Sequence, residues 1–143
     1  MARSSFEIIG SFVSAINSHN LTTIRSLMTD DHVFTDARGT KFFGADRMVE
    51  NWRQFFNAYP QYWISIDTSL AYGDRVGLFG EAGGKWRVDG TIIPGSWKVS
   101  AGWLAEIEDG KVRSWTVCCD TTWTTPPNQR KAALLQHLAI VEV

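Results

Sequence analysis

The sequence has few of the residues that mark a disulfide scaffold or a membrane protein. Its 143 residues contain only two cysteines, and these are the neighbours Cys118 and Cys119. Neighbouring side chains on a strand point to opposite faces, so this pair does not build a disulfide framework. No apolar run is long enough to cross a bilayer, and Glu7 interrupts the apolar residues near the N-terminus. We therefore expect a cytoplasmic protein without a signal peptide.

The sequence also lacks an excess of charge of either sign. Lys and Arg number 14 and Asp and Glu 15, which leaves a net charge of -1. Because no basic stripe is present, we expect neither nucleic acid nor an anionic membrane as a partner. Three scattered histidines beside adjacent cysteines have no metal-ligand spacing, so we expect no metal and no cofactor. The length favours one domain over residues 1–143.

Aromatic residues are what the sequence has in excess, with seven Trp and eight Phe. A large aromatic core is one interpretation, and an aromatic-lined ligand pocket is the other. The same six aromatic side chains would fill the core in the first interpretation and line the pocket in the second. They are Trp52, Phe55, Tyr59, Trp97, Trp103 and Trp115. The pattern leaves both open.

Apolar periodicity predicts helices first and a meander of strands afterwards. Helices are expected at 5–17, 21–28 and 45–59, the last ended by Pro60, with a fourth at 128–141. Strands are expected at 32–36, 41–43, 62–71, 76–81, 86–88, 97–107 and 111–121. This order predicts an α+β fold, in which a curved, mainly antiparallel sheet forms a cone against three N-terminal helices, with its core at about 5–125.

Several short segments, taken in order, resemble one known family. They are Phe34-Thr35-Asp36, Tyr72-Gly73-Asp74-Arg75, Pro94-Gly95-Ser96-Trp97 and Asp109-Gly110-Lys111-Val112. The ordered set resembles the SnoaL-like branch of the nuclear-transport-factor-2-like superfamily. The resemblance implies a cone-shaped α+β barrel with an apolar central cavity and a homodimer formed sheet to sheet. The superfamily contains isomerases, dehydratases, cyclases, epoxide hydrolases and non-catalytic binding domains, so the fold alone does not assign an activity.

Asp36 is the first candidate for a catalytic residue. The resemblance implies that a carboxylate here is the general base of the ketosteroid-isomerase branch, which moves a proton beside a carbonyl. The alternative is a turn aspartate that accepts hydrogen bonds from the backbone around 37–39. We weigh the two interpretations equally.

The other candidates would support such a base. His32 has an intrinsic pKa suited to proton transfer, although a capping role at a helix-to-strand junction is equally compatible. Asp120 closes the last strand and reaches a cavity only through a bulge or at the strand's frayed end. The resemblance places the usual tyrosine donor at Phe12, the usual protonated aspartic acid at Trp103, and the carboxylate of related cyclases at Val117. Phe12 and Val117 therefore join the six aromatic residues above as predicted ligand-binding residues, which makes eight.

These residues lead to three functional hypotheses. The first is a protein that binds a small apolar or aromatic molecule and catalyses isomerisation, cyclisation or dehydration by proton transfer. The second is a non-catalytic ligand-binding or assembly domain of the same fold. The third and weaker is epoxide hydrolysis, because Arg87-Val88-Asp89 resembles the Arg-x-Asp pair of limonene epoxide hydrolases, and residues two apart on a strand share a face. It requires both side chains to face the cavity, whereas the alternative is a plain hairpin turn at Asp89-Gly90.

Overall fold

The computed structural model describes residues 3–127. The predicted C-terminal helix at 128–141 lies outside the described residues. The helices and strands follow in this order: α1 Ser5–Asn17, α2 Leu21–Ser26, β1 Met28–Thr35, β2 Lys41–Phe43, α3 Ala45–Ala58, β3 Trp63–Tyr72, β4 Arg75–Gly84, β5 Arg87–Val88, β6 Thr91–Ile92, β7 Trp97–Glu108, β8 Lys111–Cys119 and a 3-10 helix Thr122–Thr124.

Side-chain caps fix the starts of the first two helices. Ser4 accepts a hydrogen bond from the backbone N–H of Glu7 at 3.2 Å, and Asn20 accepts one from that of Thr23 at 3.1 Å. Each cap satisfies one of the backbone donors that a helix start leaves unpaired.

The second helix is shorter than predicted, and the strand after it is longer. Helix α2 ends at Ser26, and β1 begins at Met28 rather than at residue 32. The predicted helix end at residue 28 and the predicted strand start at residue 32 were therefore wrong. Met28 pairs with Val112 of β8 in the strand ladder, so a partner that is distant in sequence decides where β1 starts.

Six strands form one sheet in the order β2-β1-β8-β7-β4-β3. Every neighbouring pair is antiparallel except β1 and β8, which run parallel. The short strands β5 and β6 form a separate hairpin. The predicted α+β class and the mainly antiparallel sheet are thus confirmed, although the sheet is not closed.

A bulge in the edge strand contributes to the curvature of the sheet. The register of β3 against β4 shifts between Ile66 and Thr68, and Gly80 of β4 lies opposite Ile66. A Cβ atom at residue 80 would overlap the carbonyl oxygen of Ser65, so only glycine allows this close approach. Bulges increase local twist and bend a strand, which helps to make one face of the sheet concave.

The pleat of the long strands separates two kinds of side chain. Trp97, Trp103 and Trp115 are buried on the concave face, against the helices. Large side chains on the convex face stay exposed, with Phe79 54% and Leu104 41% accessible. The concave face therefore supplies one wall of any internal site.

Candidate functional site

A pocket of about 490 Å³ lies between α3, the β1–β2 turn and the concave face of the sheet. Small-molecule sites commonly have this volume and an apolar wall with a few polar groups. The aromatic residues of the wall are Phe34, Phe42, Trp52, Phe55, Tyr59, Tyr62, Trp97, Trp103, Trp115 and Trp123. The aromatic side chains thus leave an open space rather than filling the interior.

The structure brings seven of the eight predicted ligand-binding residues to this wall. They are Trp52, Phe55, Tyr59, Trp97, Trp103, Trp115 and Val117. Phe12 is different, because it is fully buried and its ring packs on Trp115 with centroids 5.1 Å apart. Phe12 therefore supports the wall and does not line the pocket.

Asp36 lies on the wall and also organises the turn between β1 and β2. One carboxylate oxygen, Oδ1, accepts hydrogen bonds from the backbone N–H groups of Arg38 and Thr40, each at 2.9 Å. The other oxygen, Oδ2, has no hydrogen bond within residues 3–127. The interpretation of Asp36 as a turn aspartate is therefore confirmed, and Oδ2 is left without a hydrogen bond among the described residues.

His32 is buried away from the pocket. It has no exposed surface, and its Nδ1 lies 2.8 Å from the carbonyl oxygen of Val112. Because a carbonyl only accepts, Nδ1 carries the proton and Nε2 is left as an acceptor, which has no partner among the described residues. Desolvation lowers the pKa of the imidazole, against smaller opposing effects of the Val112 carbonyl and Asp31. Its position at the back of the wall does not allow direct contact with a molecule in the pocket.

Asp120 also lies outside the wall of the pocket. Its carboxylate is exposed and accepts hydrogen bonds from the backbone N–H and the hydroxyl group of Thr122. These contacts fix the start of the 3-10 helix. The strand does not bulge here to turn the side chain inward, because β8 ends one residue earlier at Cys119.

Arg87 and Asp89 form the hairpin turn rather than a catalytic pair. Arg87 donates to the carbonyl oxygens of Asn57 and Gly90, at 2.9 and 3.3 Å. Asp89 is exposed and has a φ of 50°, which places it in the turn. Neither residue lines the pocket. The geometry that epoxide hydrolysis required is therefore absent, and this hypothesis was wrong.

Tyr62 is a pocket residue that the sequence patterns did not single out. Its side chain is 7% exposed and lines the pocket, and its hydroxyl has no hydrogen bond among the described residues. Burial raises the pKa of the phenol far above its usual value, so the hydroxyl remains protonated at neutral pH. The alternation of Tyr62, Ile64 and Ile66 on one strand face was the available signal.

Cys119 and Trp123 are two further pocket residues that were not predicted. Burial raises the pKa of the Cys119 thiol, partly offset by the nearby Trp123 indole, so the thiol is a weak nucleophile. The Trp123 ring stacks on Trp97 with centroids 3.8 Å apart, and its carbonyl accepts from the indole N–H of Trp86 at 2.7 Å. The segment after β8 thereby closes one side of the pocket. Cys118, on the opposite face of the strand, is exposed.

Four indole N–H groups of tryptophans on the wall have no hydrogen-bond acceptor within residues 3–127. They belong to Trp52, Trp103, Trp115 and Trp123, and each nitrogen is fully buried. By contrast, the indole of Trp97 donates to the Lys85 carbonyl at 3.0 Å. Buried donors are rarely left unpaired in proteins, so these four indoles are exceptions to the usual pairing.

In the part of the chain that the structure describes, no three His, Cys, Asp or Glu side chains come together in a way that would hold a metal ion. No helix between residues 3 and 127 has both the length and the apolar character needed to cross a membrane.

Comparison with known proteins agrees with this geometry. Three helices against the concave face of a large curved sheet define the cone fold of the nuclear-transport-factor-2-like proteins. The chain belongs to the SnoaL-like domain family, whose model matches residues 9–115. No curated protein sequence gives a significant match.

Solved structures confirm the fold at low sequence identity. A protein from Catenulispora acidiphila with a ketosteroid isomerase-like fold, crystallised with trimethylamine, is 17% identical with a TM-score of 0.74, covering 82% of this chain and 88% of its own. IdmH, a candidate polyketide cyclase from Streptomyces antibioticus, is 18% identical with a TM-score of 0.73. The match covers 85% of this chain and 96% of IdmH. A candidate polyketide cyclase from Xanthomonas campestris is 13% identical with a TM-score of 0.75. The match covers 85% of this chain and 96% of the Xanthomonas protein.

Proposed function

We propose that this protein binds a small, mainly apolar or aromatic molecule in the pocket and catalyses a cofactor-independent proton transfer on it. The reaction class is isomerisation, cyclisation or dehydration. The observation that carries the proposal is the position of Asp36. Among the described residues it is the only carboxylate on a wall that is otherwise mostly aromatic. The candidate polyketide cyclases of similar fold support the same reaction class.

In this proposal the two oxygens of Asp36 have separate tasks. The backbone N–H groups of Arg38 and Thr40 hold Oδ1, so the carboxylate cannot turn away from the pocket. Oδ2 then removes a proton from a carbon beside a carbonyl group, and it returns that proton at another position. An apolar wall excludes water from this exchange, and a donor such as the Trp103 N–H would stabilise the negative charge on the oxygen.

A second candidate function is binding without catalysis. The observation that favours it is the apolar character of three positions where related enzymes carry a donor or an acid, namely Phe12, Trp103 and Val117. The trimethylamine complex of the Catenulispora acidiphila protein is an example of this fold holding a small molecule. In this case Asp36 serves the turn alone.

Deuterium exchange distinguishes the two functions without knowledge of the natural substrate. 2-Tetralone, an aromatic ketone with acidic C–H groups, is incubated with the protein in D2O, and the loss of the α-proton signals is followed by NMR. The proton-transfer function predicts exchange faster than in buffer alone. Asp36→Asn should abolish the acceleration, because the amide keeps the oxygen that accepts from Arg38 and Thr40 but has no basic oxygen.

A matched control variant is Asp89→Asn, which changes the same chemical group in the exposed turn outside the pocket. This variant should exchange deuterium at the wild-type rate. Unchanged exchange in Asp36→Asn would remove Asp36 from the mechanism. Binding of 2-tetralone without any acceleration would favour the second function.

We further propose that the protein is a cytoplasmic homodimer joined through the convex face of the sheet and has no nucleic-acid partner. Leu70 and Leu104 both flank Gly77 in the strand ladder, and Phe79 lies two residues further along β4. All three side chains are apolar and exposed: Leu70 is 65% accessible, Leu104 41% and Phe79 54%. A contiguous apolar patch of this kind is typical of a protein–protein contact.

A further inference from the structure

The backbone that carries Tyr62 is held by two polar contacts with the end of α1. The Nε2 of His19 lies 2.8 Å from the carbonyl oxygen of Tyr62. Two residues later, the Asn17 side chain forms a pair of hydrogen bonds with the backbone of Ile64, at 3.0 and 2.7 Å. Such support fixes a side chain in the way that a binding group requires, because little freedom remains to be lost on binding.

The ring of Tyr62 is fixed as firmly as its backbone. It packs edge-on against Phe55 with centroids 4.7 Å apart, and it also contacts Trp97 at 5.9 Å and Trp52 at 6.4 Å. All of these neighbours are uncharged aromatic rings. The hydroxyl is therefore a polar group on an apolar part of the wall, and it has no hydrogen bond among the described residues.

Within residues 3–127 the polar side-chain atoms that are both fully buried and unpaired do not include the Tyr62 hydroxyl, so this group keeps surface that a ligand atom in the pocket can reach. By contrast, the Tyr59 hydroxyl donates to the carbonyl oxygen of Thr124 at 3.4 Å. The raised pKa of Tyr62 keeps its proton in place, so the group acts as a donor. The nearby Cys119 thiol also remains protonated and adds no charge.

We propose that the Tyr62 hydroxyl donates a hydrogen bond to an oxygen atom of the ligand, and that the ligand is an uncharged apolar molecule with a carbonyl group. This inference rests on the proposed function, since it needs a pocket that accepts apolar molecules. Asp36 and Arg38 are the charged side chains on the wall within residues 3–127, and both belong to the β1–β2 turn, whereas the ring neighbours of Tyr62 are aromatic. A charged group beside Tyr62 would therefore lose its hydration without an opposite charge next to it. A cation would use the aromatic faces instead and would leave the hydroxyl unpaired.

Two probes of matched shape test the proposal. 9-Fluorenone and fluorene share one ring skeleton, and only the first has a carbonyl oxygen. Equilibrium dialysis measures the dissociation constant of each probe for the wild type, Tyr62→Phe and the control Tyr72→Phe, whose side chain is 90% exposed and lies outside the pocket. We expect the wild type to bind 9-fluorenone more tightly than fluorene, and Tyr62→Phe to lose about a factor of ten of this preference, as expected for one hydrogen bond. Fluorene should bind Tyr62→Phe and the wild type equally, and Tyr72→Phe should keep the wild-type preference.

The outcomes separate this proposal from the proposed function. An unchanged preference in Tyr62→Phe, with both probes bound, would overturn the role of Tyr62 and leave the pocket's function standing. No binding of either probe to any form would overturn both. Tighter binding of benzyltrimethylammonium than of 9-fluorenone would overturn the inference of an uncharged carbonyl ligand.

A spectroscopic measurement on the wild type gives an independent test that does not depend on how the variant folds. A hydrogen bond to a carbonyl weakens the C=O bond, so the infrared stretching band of bound 9-fluorenone should lie at lower frequency than in an alkane solvent. A band at the alkane position would contradict the proposal. If Tyr62→Phe folds, its complex should show this alkane-like band, whereas the Tyr72→Phe complex should match the wild type.

Discussion

The two faces of the same strands have different roles in this protein. On β7, Trp103 is 3% exposed and faces the pocket, whereas its neighbour Leu104 is 41% exposed on the convex side. Trp103 lies among other large rings, with Trp115 6.3 Å away, while Leu104 lies beside Gly77 of β4. A single strand thus supplies a pocket wall and an external surface, and a one-residue shift of register would exchange them.

The two faces also differ in what their residues contribute: one contributes to folding stability and the other to association. Residues on the concave face contact many neighbours and hold the core together, so their loss should affect the free energy of unfolding. Residues on the convex face have few neighbours in the monomer, so their loss should affect association instead. Three predictions test this difference, from the largest expected effect on folding to the smallest.

Trp115→Ala should have the largest effect on stability. The side chain is fully buried and contacts Phe12 and Trp103, so its removal leaves a large void in the wall. We expect a loss of about 4 kcal/mol in the free energy of unfolding, measured by urea denaturation. Leu104→Ala on the convex face is the control and should cost less than about 1 kcal/mol. Equal losses at the two positions would contradict the assignment of the core to the concave face.

His32 should make stability depend on pH. Burial lowers its pKa in the folded protein below the unfolded value of 6.5, so the unfolded state binds more protons in this range. Stability is therefore complete above about pH 6.5 and falls as pH drops toward the folded pKa, by up to about 1.4 kcal/mol per pH unit. Denaturation at a series of pH values measures this slope.

His32→Asn is the matched variant for this test. The amide can still donate to the Val112 carbonyl, but it does not titrate. The difference between the two slopes isolates the contribution of His32 from that of the carboxylates. Identical slopes in the variant and the wild type would mean that His32 is not held neutral by burial.

Leu104→Glu should leave the fold intact and change the oligomeric state. The residue is already partly exposed, so a carboxylate there reaches water in the monomer, whereas two copies facing each other would bring like charges together. Light scattering after gel filtration should give a dimer for the wild type and a monomer for the variant. Thr22→Glu, on the exposed side of α2, should remain a dimer. A dimeric Leu104→Glu with a native circular dichroism spectrum would place the interface elsewhere.

Local patterns predicted most of the elements, because their signals are contained within a few residues. The apolar spacing of α1 and the stop at Pro60 after α3 are of this kind. The long hairpin of β7 and β8 was also predicted to within a few residues of its observed ends. The start of β1 was missed because its ladder partner Val112 is distant in sequence. Seven of the eight predicted lining residues reached the pocket because strand and helix faces can be derived from periodicity.

The sequence by itself determined the fold class, the aromatic richness of the interior and the apolar character of position 117. Only the tertiary structure decided which polar groups meet the pocket. His32 looked available for proton transfer, but its hydrogen bond to Val112 spans 80 residues and holds it behind the wall. Tyr62 looked like an ordinary strand residue until four aromatic rings and the end of α1 enclosed it. Local sequence fixes a side chain's face, whereas its solvation and partners depend on segments that fold against it from elsewhere in the chain.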